Sequence, residues 1–429
     1  MKKKTYVQVG TGGRARMFYS AIATTYKESC ELLALCDVSQ TRMDFTNRTL
    51  SEEFDYNPIP TYHYTEFDRM IATHRPDCVI VTSVDRTHHT YIIRAMELGC
   101  DVITEKPMTI DEVKAQAILD AAKRTGRKIR VTFNYRYAPY NTKIRELIEN
   151  DTIGEVFSVH FEWLLNTEHG ADYYRRWHRN KSNSGGLLVH KSTHHFDLVN
   201  FWLNAWPKVV FAFGERNFYG IENAERRGIK EFYYRCHGSE VAKNDPFAID
   251  LENNARLKGL YLDAEQDSGY IRDLSVFGDG ISIEDTMGVT VKYDTKAILT
   301  YSLNSYMPWE GFVVSINGSK GRIEYKVIER TYINAGGKAE LEGAAHHHQI
   351  MVYPLFDKPY EAEVITGEGG HGGGDPVLLE SLFGNPAPDP FKREADHIQG
   401  AMSILTGIAA NKSIASGLPV RIDDLIRTE

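Results

Sequence analysis

Residues Thr5-Tyr6-Val7-Gln8-Val9-Gly10-Thr11-Gly12-Gly13-Arg14-Ala15 constrain this chain more than any other stretch. A strand-like run stops at a glycine turn, and a helical run begins at once. The pattern is G-x-G-x-x-A directly after a strand. Gly10 permits a tight turn, Gly12 lets backbone approach a phosphate, and Ala15 leaves room for helix against sheet. Thr11, Gly13 and Arg14 complete the turn. A helix starting near Gly13 aims unpaired N–H groups and its positive dipole end at a pyrophosphate. The motif asks for a parallel α/β domain that holds a dinucleotide.

The next 120 residues keep that grammar. Apolar strands over 31–37, 61–62, 77–82, 101–104 and 129–132 alternate with helical runs from about 39, over 88–98 and over 110–125. Short loops and β-branched strands imply a parallel sheet covered on both faces. After about residue 150 long strands dominate, over 154–163, 208–213, 289–293, 297–305, 312–316 and 321–325, with Asp294-Thr295 placed for a hairpin. One helix is expected over 186–203 and another over about 390–411. Strands without intervening helices predict an open, mainly antiparallel sheet. A chain of 429 residues is too long for one ordinary core. The expected division is a dinucleotide-binding domain over 1–135 and a second α/β domain over 136–429, with an insertion at 215–270. The glycine-rich run at 368–374 reads as a loop with left-handed or otherwise unusual backbone, and His346-His347-His348 as a solvated loop.

A net charge of -8 offers no basic footprint for nucleic acid and no polybasic membrane patch. No apolar run approaches the roughly 20 residues that cross a bilayer. The basic start Met1-Lys2-Lys3-Lys4 leads into too short a run for a signal sequence, so a cytoplasmic chain is expected. Five scattered cysteines, without a Cys-x-x-Cys pair, read as reduced core residues.

Asp37 ends the second strand, 27 residues after Gly10. There a carboxylate accepts hydrogen bonds from the adenosine ribose and repels a 2′-phosphate, which favours NAD over NADP. Arg42, five residues on, either stacks on adenine or softens that preference. Glu105-Lys106-Pro107 follows the fifth strand at the carboxyl edge, where such sheets bind ligands. An ammonium at Lys106 lowers the pKa of a substrate hydroxyl and stabilises an alkoxide as hydride leaves; Pro107 holds the residue before it extended. In the helix that follows Gly186, His190, His194 and Asp197 are spaced for one face. His194 is the acid/base candidate because imidazole titrates near neutral pH, and Asp197 is placed to orient it. Two histidines four apart can share a metal ion, but no third ligand is evident in the sequence and no metal is expected.

These motifs together make the chain resemble the Gfo/Idh/MocA family of NAD(P)-dependent oxidoreductases, nearly end to end. The resemblance rests on Gly10-x-Gly12-x-x-Ala15, Asp37, the segment from Thr82 to His88, Glu105-Lys106-Pro107, Asn134-Tyr135-Arg136-Tyr137, Gly185-Gly186 through His194-x-x-Asp197, and Asn317-Gly318-Ser319-Lys320-Gly321. It implies a Rossmann domain followed by an α/β domain whose large sheet forms dimer or tetramer contacts. It also implies a sugar or cyclitol substrate between the domains and Lys106 with His194 as the catalytic centre. The family often has an aspartate four residues before that histidine; here His190 stands instead, as a second base or a substrate contact. Thr82, His88 and Glu105 join the cofactor set. Arg176, Trp177 and His178 precede the helix closely, with Trp177 placed to stack on a sugar face. Tyr135, Arg136, Glu162, Lys191, His195 and His371 complete the candidates for the substrate cleft. The run Gly369 to Asp375 resembles one in the NAD-dependent α-N-acetylgalactosaminidase branch. Three functions follow: a sugar dehydrogenase, a glycosidase that keeps its NAD, and a ligand sensor without turnover. The acidic run Asp263-Ala264-Glu265-Gln266-Asp267 reads as an exposed loop.

Overall fold

The computed structural model describes residues 2–329, 345–364 and 370–427. Six parallel strands, β1 (Lys4–Val9), β2 (Cys30–Asp37), β3 (Thr61–His63), β4 (Cys78–Val81), β5 (Asp101–Thr104) and β6 (Ile129–Val131), lie in the order β3-β2-β1-β4-β5-β6. The order reverses between β1 and β4, and at such a switch point the carboxyl ends of the strands leave a crevice. Helices α1 (Ala15–Ala23), α2 (Gln40–Phe54), α3 (Phe67–His74), α4 (His88–Glu97) and α5 (Glu112–Thr125) connect them. Because both faces are covered, β4 is apolar and buried throughout. The sheet separates two cores, with Val7, Val79 and Val81 in one and Tyr6, Ile80 and Ile103 in the other.

The second sheet has nine strands: β7 (Val156–Asn166), β8 (Pro207–Glu215), β9 (Thr286–Tyr293), β10 (Ile298–Met307), β11 (Glu310–Gly318), β12 (Gly321–Glu329), β13 (Ala345–Pro354), β14 (Tyr360–Glu361) and β15 (Val420–Arg421). Their order is β14-β13-β12-β11-β7-β10-β9-β8-β15, antiparallel except where β7 meets β10. Alternation along β9 and β10 buries one side of the sheet. On that side Phe161, Trp163 and Tyr301 pack against residues 193–203, through Phe196 and Trp202 among others. Helices α6 (Pro139–Glu149) and α7 (His169–Arg175) flank β7 in the chain.

Two local expectations are corrected. The helix over 186–203 is two helices, α9 (Leu187–His190) and α10 (Thr193–Leu203), after a single turn α8 (Lys181–Ser184). The Ser192 N–H reaches back to the Leu187 carbonyl and its hydroxyl meets that of Tyr301, which ends α9. The histidine run is no loop: His347 and His348 sit in β13 opposite Ile328 and Val327, because Ile350 and Val352 bury the same strand. Between β8 and β9 the segment expected as an insertion carries the short helices α11 (Ile221–Arg226), α12 (Ala255–Leu257) and α13 (Glu265–Ser268).

Residues 368–369 lie outside the described residues, and α14 (Gly370–Phe383) follows with left-handed backbone at His371, Gly372 and Gly373. The last helix, α15, is His397–Ser416 rather than 390–411, since the Asp396 carboxylate caps the Ile398 and Gln399 N–H groups and sets its start. Gly407 lets α15 approach the Leu188 carbonyl, and Thr193 and Ser403 bond across to lock α10 against it. Among the described residues no helix is long and apolar enough to cross a membrane.

Candidate active site

Gly10 adopts φ +87°, and a Cβ there would strike the Thr82–Ser83 backbone, so the turn requires glycine. Beside Gly12 the position of a missing Cβ is open space, in the wall of a cavity of about 760 Å³. This cavity takes in Gly10, Gly12 and Asp37 together with Lys106, His190 and His194. Thr11 and Ala15 are buried and shape the turn from behind. The Thr11 N–H and hydroxyl donate to Asp37 Oδ2 at 2.6 and 2.9 Å, and Ser39 N and Arg42 donate to Oδ1 at 2.9 Å each. Asp37 therefore holds the turn in place from the end of β2. Arg42 is paired with it and buried, which spends its charge inside the protein.

Thr82 donates to the Gly10 carbonyl at 2.7 Å. Both ring nitrogens of His88 face backbone carbonyls, those of Pro107 and Ser83 at 2.8 and 2.9 Å. Burial lowers the His88 pKa while the two carbonyls oppose it, and a neutral ring, with a single N–H, donates to one of them. Gly13 and Arg14 lie on the wall, and Arg14 pairs with Glu105 at 2.8 Å.

Lys106, reached through a cis Lys106–Pro107 bond, donates from Nζ to the His190 carbonyl at 3.2 Å. Exclusion of water lowers its pKa to about 8, with Lys191 and Arg14 pushing the same way and Glu105 and Asp85 opposing. His190 lies 2.6 Å from Asp85 Oδ2 through Nδ1. Burial drives Asp85 well above the usual carboxyl range and His190 well below the usual imidazole range, so desolvation disfavours the charged form of each. His194 is also depressed by burial and then by the Lys106 charge, and is a neutral base at pH 7. Its Nδ1 is buried with no hydrogen-bond partner among the described residues.

Arg176, Trp177, His178, Lys191 and His371 all line the same cavity. Trp177 stacks on His178 at 3.5 Å between ring centroids, and Lys191 puts its ammonium 4.8 Å over the Trp163 ring. Arg176 pairs with Asp172, whose burial would raise its pKa but which Arg176, Arg272 and Arg175 hold well below the carboxylate range. His371 pairs with Asp375 at 3.1 Å.

Five expected substrate contacts lie elsewhere. Asp197 does not orient His194; it makes a two-pronged ion pair with Arg136 at 2.6 and 2.7 Å, both groups buried. His195 is fully buried, stacked on Trp163 and bonded to the Tyr301 hydroxyl. Tyr135 lies behind the cavity, donating to Glu329 while its ring packs on His194 and His371. Glu162 is exposed, since alternation along β7 turns it away from buried Phe161 and Trp163. One-dimensional spacing could not separate these faces.

The sequence reading missed Asp85, Arg256 and Tyr261, all on the cavity wall. The unusual His190 was the signal for Asp85: the carboxylate absent from the helix arrives from the loop after β4. Tyr173 ends a buried chain in which His169 meets Glu310 at 2.6 Å and the Tyr173 hydroxyl at 2.9 Å. The structure gathers a metal-type set other than the His190–His194 pair weighed from the sequence. Asp85, His178 and His190 present ligand atoms within 4.8 Å of one another. The neighbouring charges of Lys106 and Arg176, which depress both histidines, oppose a cation there.

Residues 4–133 match the profile described as "Oxidoreductase family, NAD-binding Rossmann fold", and residues 145–422 the one described as "Oxidoreductase family, C-terminal alpha/beta domain", of the Gfo/Idh/MocA set. YteT of Bacillus subtilis is 36% identical over 437 residues, covering 99% of each chain. D-glucoside 3-dehydrogenase of Escherichia coli is 26% identical over 195 residues, 46% of this chain and 52% of that one. The WlbA dehydrogenase from Bordetella pertussis, solved in complex with NADH and UDP-GlcNAcA, shares the fold with a TM-score of 0.62 at 15% identity, covering 98% of this chain and 99% of that one.

Proposed function

Because this chain belongs to the Gfo/Idh/MocA oxidoreductase family, we propose that it moves hydride between NAD and a secondary hydroxyl of a sugar, glycoside or cyclitol. One observation carries the reading: a single cavity joins a glycine turn to a water-excluded lysine and two neutral histidines. The turn suits a dinucleotide, given the open space at Gly12 and the α1 N-terminus beyond it. When bound, the nicotinamide supplies the hydride acceptor. The protein's own residues do the rest. Lys106 holds an ammonium to the substrate oxygen, His194 takes the hydroxyl proton, and the Asp85–His190 pair stores or returns one. Trp177, Arg176 and His178 offer a flat face and donors for a polyol ring. Asp37 favours NAD; Arg42, already paired with it, leaves little positive charge to welcome NADP.

With the right sugar, NAD+-loaded protein is expected to accumulate NADH, followed by absorbance across a panel of sugars, glycosides and cyclitols. Light scattering on the same preparation should give a dimer or tetramer, built on the outer face of the nine-stranded sheet where Phe213 and Ile298 stay exposed. A second reading draws on Tyr173 and His371 at the cavity. A glycosidase that keeps its NAD would oxidise beside the anomeric centre, eliminate the aglycone and return the hydride. Aglycone release with no net NADH would select it.

The two histidines separate by mutation. His194→Gln is expected to lower kcat/KM about 10²–10³-fold, within the usual range for a lost general base. Asp85→Asn, which leaves His190 in place without its carboxylate, should cost about tenfold and shift the acid limb of the pH profile. Equal losses in both would move the base from His194 to His190.

A further inference from the structure

Residues 254–270, between β8 and β9, reach back 248 positions to the glycine turn. The Gly13 N–H donates to the Tyr261 hydroxyl at 3.1 Å, and Arg256 donates to the Gly13 carbonyl at 3.0 Å. Gly259 lies so close to the Phe45 ring of α2 that a side chain there would collide with it. Asp267, at the far end, accepts from the Ser39 hydroxyl at 2.6 Å and from Thr41 N at 2.9 Å. Arg256, Tyr261, Ser268 and Tyr270 form part of the cavity wall.

Two of these contacts, at the Gly13 N–H and at the start of α2, fall on groups that a dinucleotide uses. N–H groups after the second glycine are the pyrophosphate donors of such a turn. A hydroxyl that accepts from Gly13 still has its own proton to give a phosphate oxygen, and Arg256 brings a guanidinium to the same loop. The start of α2, just beyond Asp37, is where a 2′-phosphate would find free N–H groups. Asp267 already occupies it, and Ser39 links it to Asp37 by donating its N–H to one carboxylate and its hydroxyl to the other.

We propose that residues 254–270, supplied by the second domain, form the outer half of the dinucleotide site. Arg256 and Tyr261 hold the pyrophosphate, Asp267 joins Asp37 in excluding a 2′-phosphate, and the strap so formed retains NAD between turnovers. This rests on the reading that NAD lies on the glycine turn.

The test follows exchange of bound NAD for radiolabelled NAD on the full-length protein, and the NADH and NADPH dissociation constants by fluorescence. Wild-type protein is expected to purify with NAD and exchange it over minutes or longer. Tyr261→Phe with Arg256→Gln should speed exchange at least about tenfold, roughly two lost charge-assisted or neutral hydrogen bonds. Asp267→Ser, and independently Ser39→Ala, should narrow the preference for NADH over NADPH by about tenfold; the unfolding midpoint of each variant reports its folding. Exchange within seconds in the wild type, or unchanged exchange and preference in folded variants, overturns the strap. Wild-type protein that binds neither nucleotide overturns the proposed function itself.

Discussion

Lys106→Met is expected to lower kcat/KM for the sugar about 10²–10³-fold while bound NAD stays at wild-type occupancy. The side chain spans the gap between β5 and α9, and its ammonium is anchored on the His190 carbonyl. In a site that excludes water, a fixed positive charge beside a developing alkoxide is worth several kcal/mol, about what that fold-change requires. The same argument sets the alkaline limit. Burial lowers the lysine to about 8, so the ammonium is present below that pH and is lost as pH rises through it. Wild-type kcat/KM should therefore fall about tenfold per pH unit above pH 8, and Lys106→Met should lose that limb. A variant that sheds NAD but keeps its turnover in excess cofactor would make Lys106 a nucleotide ligand instead.

Asp197→Ala is expected to destabilise the fold by about 3–5 kcal/mol with no change in KM for cofactor or sugar, measured by urea unfolding and steady-state kinetics. The loss would strand the Arg136 guanidinium, which is buried between the Phe133 and Phe201 rings and donates to the Glu394 carbonyl. Burial raises the Asp197 carboxyl and Arg136 opposes it, which marks a pair whose attraction must offset its own desolvation. Replacing both, as Arg136→Met with Asp197→Leu, should recover most of the stability because no unpaired charge remains. A raised KM in a stable Asp197→Ala protein would return this residue to the substrate cleft.

The glycine turn, Asp37 and Lys106 were legible because each does its work within a few residues of a strand end. Strand–helix alternation announced the parallel sheet, and strand following strand announced the open one. The histidine segment was legible as chemistry but not as geometry. One regular helix would have put His190, His194 and Asp197 on a common face, whereas the break at Lys191–Ser192 and the pull of Arg136 send Asp197 into the core. Glu162 and His195 fell on the wrong side for a similar reason, since the partner that buries a face lies on a distant strand.

By itself the sequence determined a dinucleotide turn, the order of its strands and helices, and the residue types of the candidate site. Those properties come from backbone preference and short-range periodicity, which act over neighbouring residues. Only the tertiary structure decided which carboxylate serves His190, which arginine spends Asp197, and that residues 254–270 return to Gly13. Their partners stand 105, 61 and 248 positions away. At such separations no local pattern links two residues; burial of a shared core brings them together, and desolvation then makes each pairing obligatory.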